Sequence, residues 1–165
     1  MKKYITVYDY TLQGGERFEF FPIIFFFIGI GVFYYNYKKS GKIKNFKGIF
    51  SIIFIAFSLL LSILFTSQYI KSKKNVEKAI ENKDYHITEG VIENFVPMPK
   101  EGHSFENFTV KGTWFQYSDY SPIEGFHNAK SLGGPIQGNG QYVRVTYYAP
   151  YGLNMIIKLE VGKTQ

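Results

Sequence analysis

The chain has 165 residues, of which 19% are aromatic and only 19% charged, a mixture unlike that of a disordered protein. It has no cysteine, which excludes a disulfide framework, a thiol nucleophile and any cysteine-based zinc or iron–sulfur centre. The net charge of +6 is not a nucleic-acid signature. Five lysines crowd into residues 38–48 without an acid, while the stretch from Asp84 onward holds six basic against eight acidic residues. A phosphate-binding surface needs its cations clustered on the folded part.

Residues 1–19 read as an N-terminal tail with balanced charge. Phe20 to Tyr37 is an uncharged run of 18 residues, and Gly48 to Ile70 is a second of 23. At roughly 1.5 Å per helical residue they span about 27 and 35 Å, against the roughly 20 apolar residues that a crossing needs. The expectation is a two-helix transmembrane hairpin, with helices over 20–37 and 49–70 joined by a Lys-rich loop over 38–48. A cleaved signal peptide is a poor alternative for the first run. Its leading segment would carry Asp9, Glu16 and Glu19, and Tyr34–Lys39 makes a poor cleavage context. Tyr34, Tyr35 and Tyr37 suit an interfacial belt. Lysine density in 38–48 favours that loop inside and both chain ends outside. The raw count, five in the loop against eight on the other side, points the opposite way.

Residues 71–83 hold good helix formers and predict a juxtamembrane extension of the second helix. From 84 to 165 the period changes to two, which predicts an all-β domain. HITEGVIENFV reads as a strand with Gly90 at a bulge or close approach. FENFTV and TWFQYS read as a hairpin around Lys111-Gly112, with Phe108, Val110, Phe115 and Tyr117 on one face. QYVRVTYY and LNMIIKLEV follow, the latter presenting Met155, Ile157, Leu159 and Val161 to one side. About five antiparallel strands close most economically as a small SH3-like or OB-like barrel, with an open sheet as the alternative.

His86, His103 and His127 have no metal-ligand spacing, and no serine sits in a nucleophile elbow. No catalytic residue, metal or cofactor is therefore expected, and the chain does not read as an enzyme. Glu101 and Glu106 flank a loop at a spacing that chance supplies. The long Gly-rich connection from Asp119 to Gly140 is the most distinctive local feature. Connections of that length are often built for contact. Asp119, Tyr120, His127 and Asn128 are its candidate contact residues. His103 adds a loop candidate, and Arg144 and Trp114 would line any barrel pocket.

The segments GVIENFVPMPKEGH, FTVKGTWFQYSDY, GGPI at 133–136, and VRVTYY followed by LEV resemble those of a group of small bacterial proteins that carry such a β module beside membrane helices. The resemblance covers about residues 88–161 and implies architecture without a catalytic residue. In architecture alone the chain is also similar to two-helix, β-barrel effectors of bacterial cyclic-oligonucleotide antiphage signalling. Together these give the expectation of a two-pass bacterial inner-membrane protein with its β domain outside. That domain would be a non-enzymatic binding or assembly module. Its expected partners are the lipid bilayer and a protein or second copy, with no nucleic acid. The alternative is a ligand-sensing membrane effector.

Overall fold

A computed structural model describes residues 3–13, 21–40, 46–121 and 124–162. The chain divides into two compact units, one formed by residues 17–72 and the other by residues 1–16 together with 73–165. Lys42 and Lys44 of the Lys-rich loop lie outside the described residues.

In the first unit, helix α2 (Phe21–Ser40) is followed by α3 (Phe46–Glu81), which runs on into the second unit without a break. Glycine explains how closely α2 and α3 approach. A Cβ on Gly29 would lie 2.9 Å from Ile55 and 3.0 Å from Phe54. Ser51 and Ser62 return their hydroxyls to carbonyls four residues back, which lets serine sit in an apolar helix without an unmet donor. Among the described residues one helix, α3, is long and apolar enough to cross a membrane. Of the two helices expected to cross, α3 is the one that meets that length and composition. In α2 the apolar stretch gives way after Phe33 to Tyr-Tyr-Asn-Tyr-Lys-Lys.

The second unit is a six-stranded antiparallel sheet in the order β1-β6-β5-β2-β3-β4. Its strands are β1 (Tyr4–Asp9), β2 (His86–Val96), β3 (Glu106–Val110), β4 (Thr113–Tyr117), β5 (Tyr142–Tyr148) and β6 (Met155–Gly162). Two expectations need correction. There are six strands rather than five, because the supposed tail supplies β1, which pairs along β6. The run Tyr4-Ile5-Thr6-Val7-Tyr8, all β-branched or aromatic, was the available signal. The sheet is also open rather than a closed barrel, with β1 and β4 as its edges.

Strand β2 changes partner along its length. Its first half, His86–Val91, pairs with β5, and its second half, from Ile92, pairs with β3. The register shifts after Glu93, where Asn94 takes φ +52°. Such a bulge bends a strand and increases its twist. Gly90 serves close approach, since a Cβ there would meet Val110 and Lys111 at 3.3 Å. Lys111 and Gly112, at φ +49° and +77°, make the two-residue turn whose twist suits a hairpin.

The enclosed core holds Ile92, Met98, Phe108, Val110, Phe115, Val143, Val145 and Leu159. Phe108 stacks on Phe115 at 5.3 Å, and the Tyr147 ring meets Phe115 edge-on. In β6 the expected face changes at one point. The register skips Ile157, so Ile156 joins this core. Ile157 instead joins a second cluster with Tyr10 of the single turn α1 (Tyr10–Gln13) and Val76 of α3.

Candidate functional site

Residues 118–141 connect β4 to β5 and are shaped by their own polar side chains. The Asp119 carboxylate accepts the Ala129 N–H at 2.7 Å. This holds the start of the connection against its middle. A short 3-10 turn over Lys130–Leu132 ends at Gly133, φ +92°. The chain then folds back so tightly that a Cβ on Gly134 would stand 2.0 Å from the Asn128 carbonyl oxygen. Gln137 donates to the Gly134 carbonyl, and Gln141 donates to that of Pro135. On the inner side Phe126, Ala129 and Ile136 are buried in the main core. The connection is therefore a packed part of the unit, and several of its backbone polar groups are answered by side chains of the same unit.

Glu106 is the pivot of this arrangement. It is fully buried, and its two carboxylate oxygens accept the Lys130 N–H at 3.2 and 3.1 Å. Oε2 also accepts the Met98 N–H at 3.4 Å, and Oε1 accepts the Tyr117 hydroxyl. Burial and the adjoining Glu106 push the Tyr117 phenol well above its ordinary range. One buried carboxylate thus fastens the Pro97–Ser104 loop, strand β4 and the 3-10 turn together.

A shallow cleft of about 40 Å³ lies between β4 and the start of β6, lined by Phe105, Gln116, Glu124, His127, Leu153 and Asn154. Asn154 Nδ2 donates to the Trp114 carbonyl at 2.7 Å, and the Phe126 N–H donates to the Ile156 carbonyl at 3.0 Å. The volume suits one or two waters, against the roughly 300 Å³ where small-molecule pockets begin. Burial raises the Glu124 carboxyl pKa. His127 Nδ1 lies 3.0 Å from the Ser118 carbonyl.

Arg144 has a different setting. Its Nε donates to Glu89 Oε2 at 2.8 Å, its Nη1 is 3.8 Å from Glu160, and its guanidinium lies 4.2 Å from the Tyr4 ring centre. The Tyr142 hydroxyl also donates to Glu89 at 3.0 Å. The Tyr4 hydroxyl, Arg144 and Tyr142 hold the Glu89 carboxyl down to about 2. This cluster ties β1, β2, β5 and β6 together.

The expected site residues therefore separate. Asp119, Tyr120, His127 and Asn128 share one braced connection. There Asp119 and His127 have internal partners, while Tyr120 and Asn128 are exposed. His103, at φ +63°, belongs to the turn beside Tyr120, since a Cβ on neighbouring Gly102 would meet that ring at 2.8 Å. Arg144 belongs to the strand clamp, and Trp114 to the outer edge of β4, so these two do not line a common pocket with the rest. The sequence reading missed Glu106 and Glu89. Each lies in an alternating strand, and Glu106 is in phase with buried Phe108 and Val110, which was its one signal. Comparison of the chain with protein-family models, with curated proteins and with solved structures finds no match.

Proposed function

We propose that the protein is a two-pass membrane protein whose β unit is a non-enzymatic binding or assembly module. The membrane reading is supported by the apolar length of α3 and by the apolar first half of α2, which packs on α3 at Gly29. The resemblance to bacterial membrane-anchored β modules favours a bacterial inner membrane. The lysine density of residues 38–48 favours an outward-facing β unit.

The module reading is carried by one observation. The connection over 118–141 is braced from inside by Glu106 and Asp119, and its outer side presents Tyr120 at 63% and Leu132 at 50% exposure. A contact surface that is already shaped loses little freedom on binding, and exposed aromatic residues are characteristic anchors of protein interfaces. The occupant is a protein, either a separate partner or a second copy.

A photo-crosslinking residue placed at Tyr120 in the full chain tests this in native membranes. A single dominant adduct is expected, lost when Leu132→Arg is added and absent when the probe is placed at Lys111. Equal adducts from both positions, or none from Tyr120, would remove the reading.

A further inference from the structure

Strand β1 precedes both long helices in the chain, and β6 follows them. Yet the two pair from Tyr4↔Gly162 to Asp9↔Lys158. This is more than a loose edge contact. Val7 and Tyr8 pack against the main core, and Tyr10 is buried with Val76 and Ile157. The Tyr8 ring meets Phe126 edge-on at 5.4 Å. Lys158 Nζ reaches Asp9 at 3.6 Å, and Arg144 covers the Tyr4 ring.

We infer that β1 is a strap that fixes the segment before the helices and the sheet after them on one face of the membrane, so that the residues between Asp9 and His86 cross the bilayer an even number of times. The inference rests on reading α3 as a membrane crossing. Two strands that exchange backbone hydrogen bonds share one compartment, and irregular backbone exposed to lipid has no partner for its polar groups. One crossing by α3 therefore requires another in the opposite sense. Among the described residues of that interval, α2 is the other long helix, α1 being a single turn. The strap's acceptor is the outer edge of β6, which follows α3 in the chain, so β1 has no partner in the sheet until β6 has been made. The strands that lead into and out of the helices, β1 and β2, lie three positions apart in the sheet, a separation of about 14 Å.

The absence of native cysteine makes the test direct. Thr6→Cys with Glu160→Cys, and Ile5→Cys with Val161→Cys, are adjacent register pairs. Neighbouring antiparallel pairs alternate between wide and narrow spacing, so at least one of the two suits a disulfide. Oxidation of the full chain in membranes should give an intramolecular disulfide in one pair. The four single variants should share one labelling pattern with a membrane-impermeant maleimide in intact cells. Labelling of position 6 but not 160, or the reverse, would overturn the inference, as would disulfides that form only between copies. Carbonate extraction separates the two readings. A protein released by carbonate with its intramolecular disulfide intact would remove the membrane reading and the sidedness with it, while leaving the β1–β6 pairing in place.

Discussion

Glu106 and Lys130 are joined across 24 residues of sequence, with both oxygens of the buried carboxylate accepting one backbone N–H. The link makes the long connection part of the fold. Glu106→Gln places an amide N–H₂ among the donors of Lys130, Met98 and Tyr117, leaving at least one buried group unanswered. A loss of about 3 kcal/mol is expected from a hydrogen-bonded charged group, read as a lower unfolding midpoint of the full chain in detergent. Tyr117→Phe should lose less, about 1 kcal/mol, because it removes one donor and leaves the backbone N–H groups in place.

Gly134→Ala forces a Cβ to within 2.0 Å of the Asn128 carbonyl oxygen. The neighbour is backbone and cannot turn aside. The expected loss is about 3 kcal/mol. Gly31→Ala in α2, where nothing lies within 4 Å, should not lower the midpoint, since alanine favours a helix interior over glycine by about 0.5–1 kcal/mol.

Replacing residues 122–138 with a short Gly-Ser linker should unfold the β unit. Loop closure depends only weakly on length, but the replaced segment carries Phe126, Ala129 and Ile136 out of the core. Circular dichroism and protease resistance of the β unit report the outcome. A stable sheet after the replacement would contradict the packing described here.

Glu89 gives the β1 clamp a definite acid response. Its carboxyl is held at about 2, below the ordinary 4.5. Its contribution is therefore complete above pH 4.5 and is lost as pH falls from there towards 2. Limited proteolysis should show β1 becoming cleavable across that window. Glu89→Gln should remove this part of the pH dependence.

The strands legible in the sequence were those whose alternation is uninterrupted. Phe108, Val110, Phe115 and Tyr117 share the expected buried face, and the Lys111-Gly112 turn lies where its residue types put it. The reading failed where long-range partners decide. Nothing local to Tyr4–Asp9 says that β6 awaits it. The skipped Ile157 and the bend at Asn94 are properties of pairing rather than of composition. In the candidate site the polar residues of the connection were found, but their direction was not. Asp119 and His127 turn towards the backbone of their own unit, and the carboxylate that organises them, Glu106, looked like an accidental neighbour of Glu101.

The two connections to the apolar helices differ in how they would carry a pull. Through the turn that ends α3, closed by the Asp84 N–H on the Ala79 carbonyl at 2.8 Å, load reaches β2, which has bonded neighbours on both sides in β5 and β3. Antiparallel bonds lie perpendicular to the strands, so traction along β2 loads many of them together, in shear. Traction on the segment after Asp9 reaches an outermost strand, which is held by the bonds to β6 alone. The same sheet therefore holds the connection through α3 by a strand with two bonded neighbours and the connection after Asp9 by a strand with one.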